Sequence, residues 1–235
     1  MKVGIVYDPI YLEHDTGSHP ECSERLVRIM SLLESSGTMN ELVPIAPRMA
    51  TESEILLIHS QEHFNRVESA CVHGGAWLDG DTFASRGSCK AGLYAVGGLL
   101  RAVDEVVSGQ LNSAFALVRP PGHHATATHA MGFCLFNNVA IAARYAQQNH
   151  ALKRILIVDF DVHHGNGTQD VFYDDPDTLY FSSHLYPYYP GSGDVDEVGV
   201  GPGVGATVNV PLPGGCGDVE YHRVYSEVLA PLARR

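Results

Sequence analysis

The apolar run Ile155-Leu156-Ile157-Val158 constrains the fold of this chain more than any other segment. The run is continuous and rich in β-branched residues, which is typical of a parallel strand covered on both faces. It leads directly into Asp159-Phe160-Asp161-Val162-His163-His164. Ligands of open α/β sheets bind at the carboxyl ends of the strands. The segment therefore predicts an α/β fold with a polar site at the end of this strand.

Strand-like runs alternate with segments of helical period along the whole chain, a pattern that predicts parallel strands joined by helical crossovers. The predicted strands are Lys2–Tyr7, Ala114–Val118, Ile155–Asp159, Thr178–Phe181 and Thr207–Val210. The predicted helices are Glu24–Ser35, one opened by the capping box of Thr51 and Glu54, Gln61–Val72, Ser88–Val107 and Asn137–Gln148. We expect one domain over residues 1–235, with helices on both faces of a central parallel sheet.

The last segment predicts a helix whose N-cap is Asp218, and no strand follows that helix before Arg235. A crossover helix normally leads to the next parallel strand. We therefore expect the domain to be truncated at its C-terminal side in this chain.

Composition limits the partners and the compartment. The chain has 15 Lys and Arg against 27 Asp and Glu, a formal charge of −12, which disfavours a nucleic-acid partner and suits a cationic small molecule or a basic peptide. No stretch is long and apolar enough for a signal peptide or a membrane span. The 5 cysteines form no CxxC pair, so we expect reduced thiols and a cytoplasmic protein. The oligomeric state is left open, with a homo-oligomer among the alternatives.

Asp161 and His163 are candidate metal ligands. Residues two apart on an extended segment point to the same side, so a carboxylate oxygen and an imidazole nitrogen can converge on one cation such as zinc or ferrous iron. Asp159 projects the same way and is a candidate to orient a neighbouring ligand. The same spacing also fits a capping Asp beside a His that is bonded to backbone.

Two further segments carry candidate chemistry. In Arg119-Pro120-Pro121-Gly122-His123-His124, two histidines lie on a rigid loop after a strand. Burying both would require partners for as many as four ring nitrogens, so proton transfer explains them better than packing. The segment Met131-Gly132-Phe133-Cys134-Leu135-Phe136-Asn137-Asn138 has the composition of a core loop that ends in a helix cap.

The order of these motifs resembles the class II and bacterial branch of the histone deacetylase family, which includes acetylpolyamine amidohydrolases. The motifs are YLEHDTGSHPECSERL, RPPGHH, MGFCLFNN, DFDVHHGNGTQ, SSH and YYPGSG. The resemblance implies an arginase-like α/β fold in which an apolar tunnel leads to one zinc ion. It also implies hydrolysis of an acetylated amine, with acetyl-lysine in proteins or acetylpolyamine as the substrate.

The resemblance assigns roles at the metal. Asp161 and His163 become two of three zinc ligands, and His123 and His124 become the tandem active-site histidines. His124 is then the general base, and His123 donates to Asp159. Asn166 takes the position where class I relatives have an Asp that pairs with the second histidine.

The resemblance also assigns roles in substrate and potassium binding. Gly132 and Phe133 line one tunnel wall, Tyr189 lines the other, and Asp81 corresponds to a rim aspartate that holds the substrate backbone. A structural potassium ion is implied at Ser182 and Ser183 together with Asp159, Asp161 and His163.

Two features of the family lie outside these residues, namely the third ligand, an Asp of a later strand, and a Tyr that stabilises the oxyanion. We expect that the natural protein supplies both and that residues 1–235 alone are inactive; a degenerate form is the other interpretation. Two functional alternatives are also open. One is an arginase-like ureohydrolase with two manganese ions, although Gly165 leaves few ligands for a second metal, and the other is a non-catalytic module that binds acyl-lysine.

The neutral amide at Asn166 generates a prediction about pH dependence. A carboxylate beside His124 would favour the protonated imidazole and raise its pKa, whereas an amide cannot do so by charge. We predict that Asn166→Asp moves the acidic limb of the pH–rate profile to higher pH, measured as kcat/KM between pH 5 and pH 9. An unmoved limb would contradict the pairing.

Overall fold

The computed structural model describes residues 1–234, which form two compact units. The first unit is Met1–Ala151 and the second begins at Leu152. Each unit is described by itself below. The prediction of one domain over residues 1–235 stays a prediction. Within residues 1–234, the longest and most apolar helices fall short of what a membrane crossing requires.

The strands in chain order are β1 (Val3–Val6), β2 (Leu42–Ile45), β3 (Gly75–Trp77), β4 (Phe83–Ser85), β5 (Ser113–Ala116), β6 (Ile155–Asp159), β7 (Thr178–Leu185) and β8 (Thr207–Leu212). The α-helices are α1 (Glu24–Ser35), α2 (Glu52–Ile55), α3 (Gln61–Val72), α4 (Ser88–Val107), α5 (Asn138–His150), α6 (Asn166–Phe172), α7 (Asp218–Arg223) and α8 (Ala230–Ala233). A π-helical segment, Val224–Leu229, joins α7 to α8. Short 3-10 helices cover Pro9–Glu13, Thr38–Glu41 and Gly201–Gly203.

The predicted α/β class is confirmed. The first unit has a parallel sheet in the order β2-β1-β5 and an antiparallel hairpin of β3 and β4, and the second has a parallel sheet in the order β6-β7-β8. Helix α1 connects β1 to β2 and α6 connects β6 to β7, as the alternation of patterns predicts, whereas a loop with one short 3-10 helix, Gly201–Gly203, connects β7 to β8. The register of β6 and β7 aligns Asp159 with Ser182, so the polar end of β6 lies beside a polar position of β7.

The boundaries of three helices and one strand are as predicted, at Glu24–Ser35, Gln61–Val72, Ser88–Val107 and Ile155–Asp159. The strand predicted at Thr178–Phe181 continues to Leu185. The prediction that Asp218 is an N-cap is wrong. Gly217 is the N-cap, because the Glu220 carboxylate accepts the Gly217 N–H at 2.8 Å, and Asp218 is the first helical residue.

Helix α4 organises the packing of the first unit. Its buried side chains join two hydrophobic clusters, one with α3 and α5 around Leu100 and Phe136, and one with β1 and α1 around Ile5 and Tyr11. Gly97 of α4 allows the backbone at Arg48 to approach the helix closely. A Cβ at position 97 would lie 2.1 Å from the carbonyl oxygen of Arg48.

We predict that Gly97→Ala destabilises the protein although alanine favours helix. The added methyl must displace backbone at Arg48, and such overpacking costs about 1–3 kcal/mol. Urea denaturation would measure this loss. Gly217→Ala is the control, because its Cβ would meet no atom within 4 Å. Equal midpoints for Gly97→Ala and the wild type would contradict the prediction.

Candidate active site

The tandem histidines occupy a tight turn in the first unit. The Ala125 N–H donates to the Gly122 carbonyl at 3.1 Å, so His123 and His124 are the two central residues of a hydrogen-bonded turn. Their ring centroids are 4.0 Å apart. His124 is buried and His123 is half-buried. The turn therefore presents two neighbouring imidazoles, as the sequence predicted.

The segment Met131–Asn138 anchors both ends of this turn. Asn138 Nδ2 donates to the Pro120 carbonyl before the turn, and Asn137 Nδ2 donates to the Ala125 carbonyl after it, both at 3.1 Å. Asn137 Oδ1 also accepts the Ala140 N–H and caps α5. The expected core loop and cap are confirmed, and the asparagines have a further role in fixing the turn.

A buried ion pair holds the residue that precedes the two prolines. Arg119 is 1% exposed and Glu21 is 3% exposed. Arg119 Nε and Nη2 donate to the two carboxylate oxygens of Glu21 at 2.6 and 2.8 Å. Nη1 donates to the Tyr11 carbonyl at 3.1 Å, and Nη2 also donates to the His14 carbonyl at 3.0 Å. Sequence reasoning missed this pair, whose only signal was a lone Arg before Pro-Pro.

Two opposing effects set the pKa of Glu21. Burial alone would raise the pKa of this carboxyl, but hydrogen bonds from Arg119 and His14 and the charge of the guanidinium outweigh it and lower the pKa to about 2. The Glu21 carboxyl is therefore ionised near pH 7.

Gly132 lies against His124, and Phe133 lies against His19. A Cβ added to Gly132 would lie 2.3 Å from Cδ2 of His124, so only glycine fits here, and its φ of +55° also favours glycine. The Phe133 ring contacts the His19 ring edge-to-face at 4.5 Å between centroids. His19 was not predicted as a site residue.

Asp81 lies in the turn of the β3–β4 hairpin, next to this glycine. Thr82 connects the two loops, because its Oγ1 accepts the Phe133 N–H at 3.0 Å and donates to Asp81 at 3.2 Å. Burial and the neighbouring Asp79 carboxylate raise the pKa of Asp81. The first unit thus brings together four predicted site residues: Asp81, Gly132, Phe133 and His124.

Asp161 and His163 converge in the second unit, but not on an extended segment as predicted. Strand β6 ends at Asp159 and the chain bends afterwards, because side chains accept backbone N–H groups. Asp159 Oδ1 accepts the Asp161 N–H at 3.2 Å, and Asp161 Oδ1 accepts the His163 N–H at 2.8 Å. Asp161 Oδ1 also lies 3.0 Å from Nδ1 of His163.

These two atoms form a partial donor set for zinc. A carboxylate oxygen and an imidazole nitrogen are both donors that zinc accepts, and an open zinc site takes three protein ligands. Residues 1–234 contain no group of three or more such side chains. The donors Asp161 and His163 therefore fit two of the three positions.

Two tyrosine rings contact His163. Tyr188 stacks on the imidazole with centroids 5.3 Å apart, and Tyr189 meets it edge-to-face at 5.9 Å. Tyr189 was predicted to line the second wall of the tunnel, and this role stays a prediction; within the second unit its ring contacts His163. Tyr188 was missed, because an aromatic in a Pro-rich loop gives no signal of what it faces.

The side chains of the two predicted potassium ligands on β7 point to opposite faces of the sheet. Ser182 and Ser183 are fully buried and, as neighbours on a strand, point to opposite faces. Ser182 Oγ lies 2.9 Å from Nδ1 of His184, and Ser183 Oγ lies 3.2 Å from the Tyr225 hydroxyl. Asp159 Oδ2 accepts the Tyr180 hydroxyl at 3.1 Å. The two hydroxyls therefore cannot both face one ion.

His164, adjacent to the predicted ligand His163, is held by hydrogen bonds to two side chains. Its ring lies 2.8 Å from Ser192 Oγ and 3.0 Å from Gln169 Oε1. Burial and the nearby His184 lower the pKa of His164 to about 4, so the imidazole is neutral near pH 7. This polar network holds the loop after β7 and was not predicted.

Asn166 begins α6, and its N–H donates to the His164 carbonyl at 2.9 Å. His123 and His124 belong to the first unit, whereas Asp159 and Asn166 belong to the second. The predicted bond from His123 to Asp159 and the predicted pairing of Asn166 with His124 stay predictions.

We predict that Glu21→Gln lowers the free energy of unfolding by about 3 kcal/mol at pH 7, because it leaves the Arg119 charge buried without its partner. The pKa of Glu21 is depressed from 4.5 to about 2 by folding, so its contribution is present above pH 4.5 and is lost as pH falls toward 2. Urea denaturation at pH 7 and pH 4 should give a smaller difference between variant and wild type at pH 4. The control is Glu24→Gln, whose carboxylate is exposed. A difference independent of pH would contradict the linkage.

Comparison with known proteins places these features in one family. The family model described as histone deacetylase domain matches residues 19–235. "Histone deacetylase 14, chloroplastic" of Arabidopsis thaliana is 43% identical over 245 residues, which cover 95% of this chain and 57% of that protein. "Histone deacetylase 9" of Homo sapiens is 39% identical over 267 residues, which cover 98% of this chain and 26% of that protein.

A solved structure agrees with both sequence matches. The crystal structure of the HDA15 HD domain superimposes with a TM-score of 0.93 at 38% identity, covering 99% of this chain and 69% of that one. The chain spans 57% or less of the length of these two curated relatives. The matched residues include every motif described above except the first part of the N-terminal segment. The chain therefore belongs to the histone deacetylase family.

Proposed function

We propose that the protein containing this chain is a zinc-dependent hydrolase that removes an acetyl group from an amine, either acetyl-lysine in a protein or an acetylpolyamine. The observation that carries the proposal is the convergence of Asp161 Oδ1 and His163 Nδ1, 3.0 Å apart, within a chain of this family. Relatives named as histone deacetylases support the reaction class.

In the proposal, Asp161 and His163 supply two ligands to zinc, and an Asp from sequence beyond this chain supplies the third. Zinc with an open position polarises an acyl carbonyl and lowers the pKa of water toward about 7. Asp159 supports the ligand pair, because its Oδ1 accepts the Asp161 N–H at 3.2 Å. Tyr188 limits the motion of the His163 ring by stacking on it.

The proposed proton transfer belongs to the tandem histidines. His124 removes a proton from the attacking water as general base and then donates it to the amine nitrogen, so that the C–N bond breaks with a neutral leaving group. His123, bound to Asp159 in the proposal, stays cationic and stabilises the developing negative charge. The anchored turn supports this assignment, because proton transfer requires fixed distances.

Substrate contacts follow from the remaining residues. Gly132 and Phe133 provide an apolar wall against the acyl chain, Tyr189 provides a second, and the Asp81 carboxylate accepts N–H groups of the substrate. The formal charge of −12 favours approach of a basic peptide or a polyamine. We also propose a structural potassium ion at Asp159 and Ser182, with Ser183 contributing through its backbone because its side chain points away.

We predict that the natural protein hydrolyses an acetyl-lysine peptide or acetylated polyamine, and that a chelator abolishes the activity until zinc is restored. Asp161→Asn should lower kcat/KM by about 100-fold or more, because the neutral amide is a weaker ligand. Zinc content per chain should fall with it, measured by elemental analysis. The matched control is Asp218→Asn, which changes an exposed carboxylate on α7.

Three results would contradict the proposal. Two equivalents of bound manganese per chain would favour the ureohydrolase. Tight binding of the acetylated peptide without zinc-dependent turnover would favour the binding module. Full activity of Asp161→Asn would exclude this residue as a ligand.

A further inference from the structure

His59 lies just before α3 and uses both of its ring nitrogens. It is 3% exposed. Its Nδ1 lies 2.9 Å from the Thr126 carbonyl oxygen, and its Nε2 lies 2.8 Å from the Asn137 backbone nitrogen. The imidazole therefore bridges the segment after the tandem histidines and the segment that begins α5.

The two partners determine the protonation state of this ring. A carbonyl oxygen only accepts and a backbone N–H only donates, so Nδ1 carries the proton and Nε2 accepts. Burial and the neighbouring His63 lower the pKa of His59 to about 3, which agrees with a neutral ring. A cationic ring would lose the bond from Asn137.

The bridge fixes residues that immediately follow His124. The Ala125 carbonyl accepts from Asn137 Nδ2, the Thr126 carbonyl is bound by His59, and the Ala127 carbonyl accepts the Ser60 N–H at 2.8 Å. Three successive carbonyls are thus held, two of them by His59 and Ser60. Gly132 also approaches the His124 ring so closely that a Cβ at this position would lie 2.3 Å from Cδ2 of His124.

We propose that His59 is a positioning residue, whose neutral imidazole holds the Gly122–Ala125 turn against the start of α5 and thereby sets the position of His124. The proposal rests on the proposed function for its kinetic consequence. An apolar side chain could fill the same volume, but it would leave a buried carbonyl and a buried N–H unpaired. Displacement of a proton-transfer group by about 1 Å is enough to cost about 100-fold in rate.

The test compares three variants of the natural protein. His59→Leu removes both bonds, and His59→Gln keeps one donor and one acceptor. His63→Leu is the matched control, because His63 is 1% exposed, its ring lies 4.7 Å from that of His59, and its Nε2 contacts the Leu135 carbonyl rather than the turn. Both Leu variants remove one buried histidine.

For His59→Leu we expect a kcat about 10- to 100-fold lower with KM changed by less than about 3-fold, after correction for the folded fraction. His59→Gln should restore most of kcat. Amide hydrogen exchange at Ala125 and Asn137 should accelerate at least about 10-fold in His59→Leu and stay unchanged in His63→Leu, relative to amides in the core of α4. Equal loss of kcat and equal exchange in both Leu variants would overturn the proposal.

A measurement on the wild type covers the case in which His59→Leu does not fold. Nitrogen-15 NMR of labelled histidines at pH 7 should show His59 protonated at Nδ1 only. Protonation at Nε2 or at both nitrogens would overturn the proposal. If the wild type has no deacetylase activity, the proposed function fails, whereas hydrogen exchange and NMR still decide whether His59 holds the turn.

Discussion

The buried pair of Arg119 and Glu21 is the interaction on which the candidate site residues of the first unit depend. A guanidinium at 1% exposure needs acceptors for its donors, and here the Glu21 carboxylate and the carbonyls of Tyr11 and His14 accept four hydrogen bonds from it. The pair connects the N-terminal segment to the residue at which the loop of the tandem histidines begins. Because loss of either partner leaves an unpaired buried charge, the start of this loop has one well-defined position.

Side-chain hydrogen bonds to backbone then define the path of each loop. Asn137 and Asn138 hold the turn of the tandem histidines, and His59 extends that support to Thr126. In the second unit, Asp159 and Asp161 bend the chain so that a carboxylate and an imidazole meet. Loops that lack regular backbone pairing need such partners, and the chemistry of the site depends on them.

The two units contribute different chemistry to the proposed reaction. The first carries the proton-transfer pair and a rim formed by Asp81, Gly132 and Phe133, whereas the second carries two metal donors with aromatic rings around His163. Membership of the histone deacetylase family is shown by a match over residues 19–235. That these parts act in one reaction belongs to the proposal. The third ligand belongs to the proposal rather than to these residues.

The sequence by itself determined the α/β class and the boundaries of several helices, and it marked the tandem histidines and the Asp-x-His pair as candidates. Periodicity and spacing carry that information because they are local properties of the chain. Only the tertiary structure decided that Glu21 pairs with Arg119, that His59 bridges Thr126 and Asn137, that Tyr188 stacks on His163, and that Ser182 and Ser183 face opposite ways. These contacts join residues far apart in the chain or depend on strand direction and loop bends, and whether a polar side chain finds a partner is determined by folding of the whole chain.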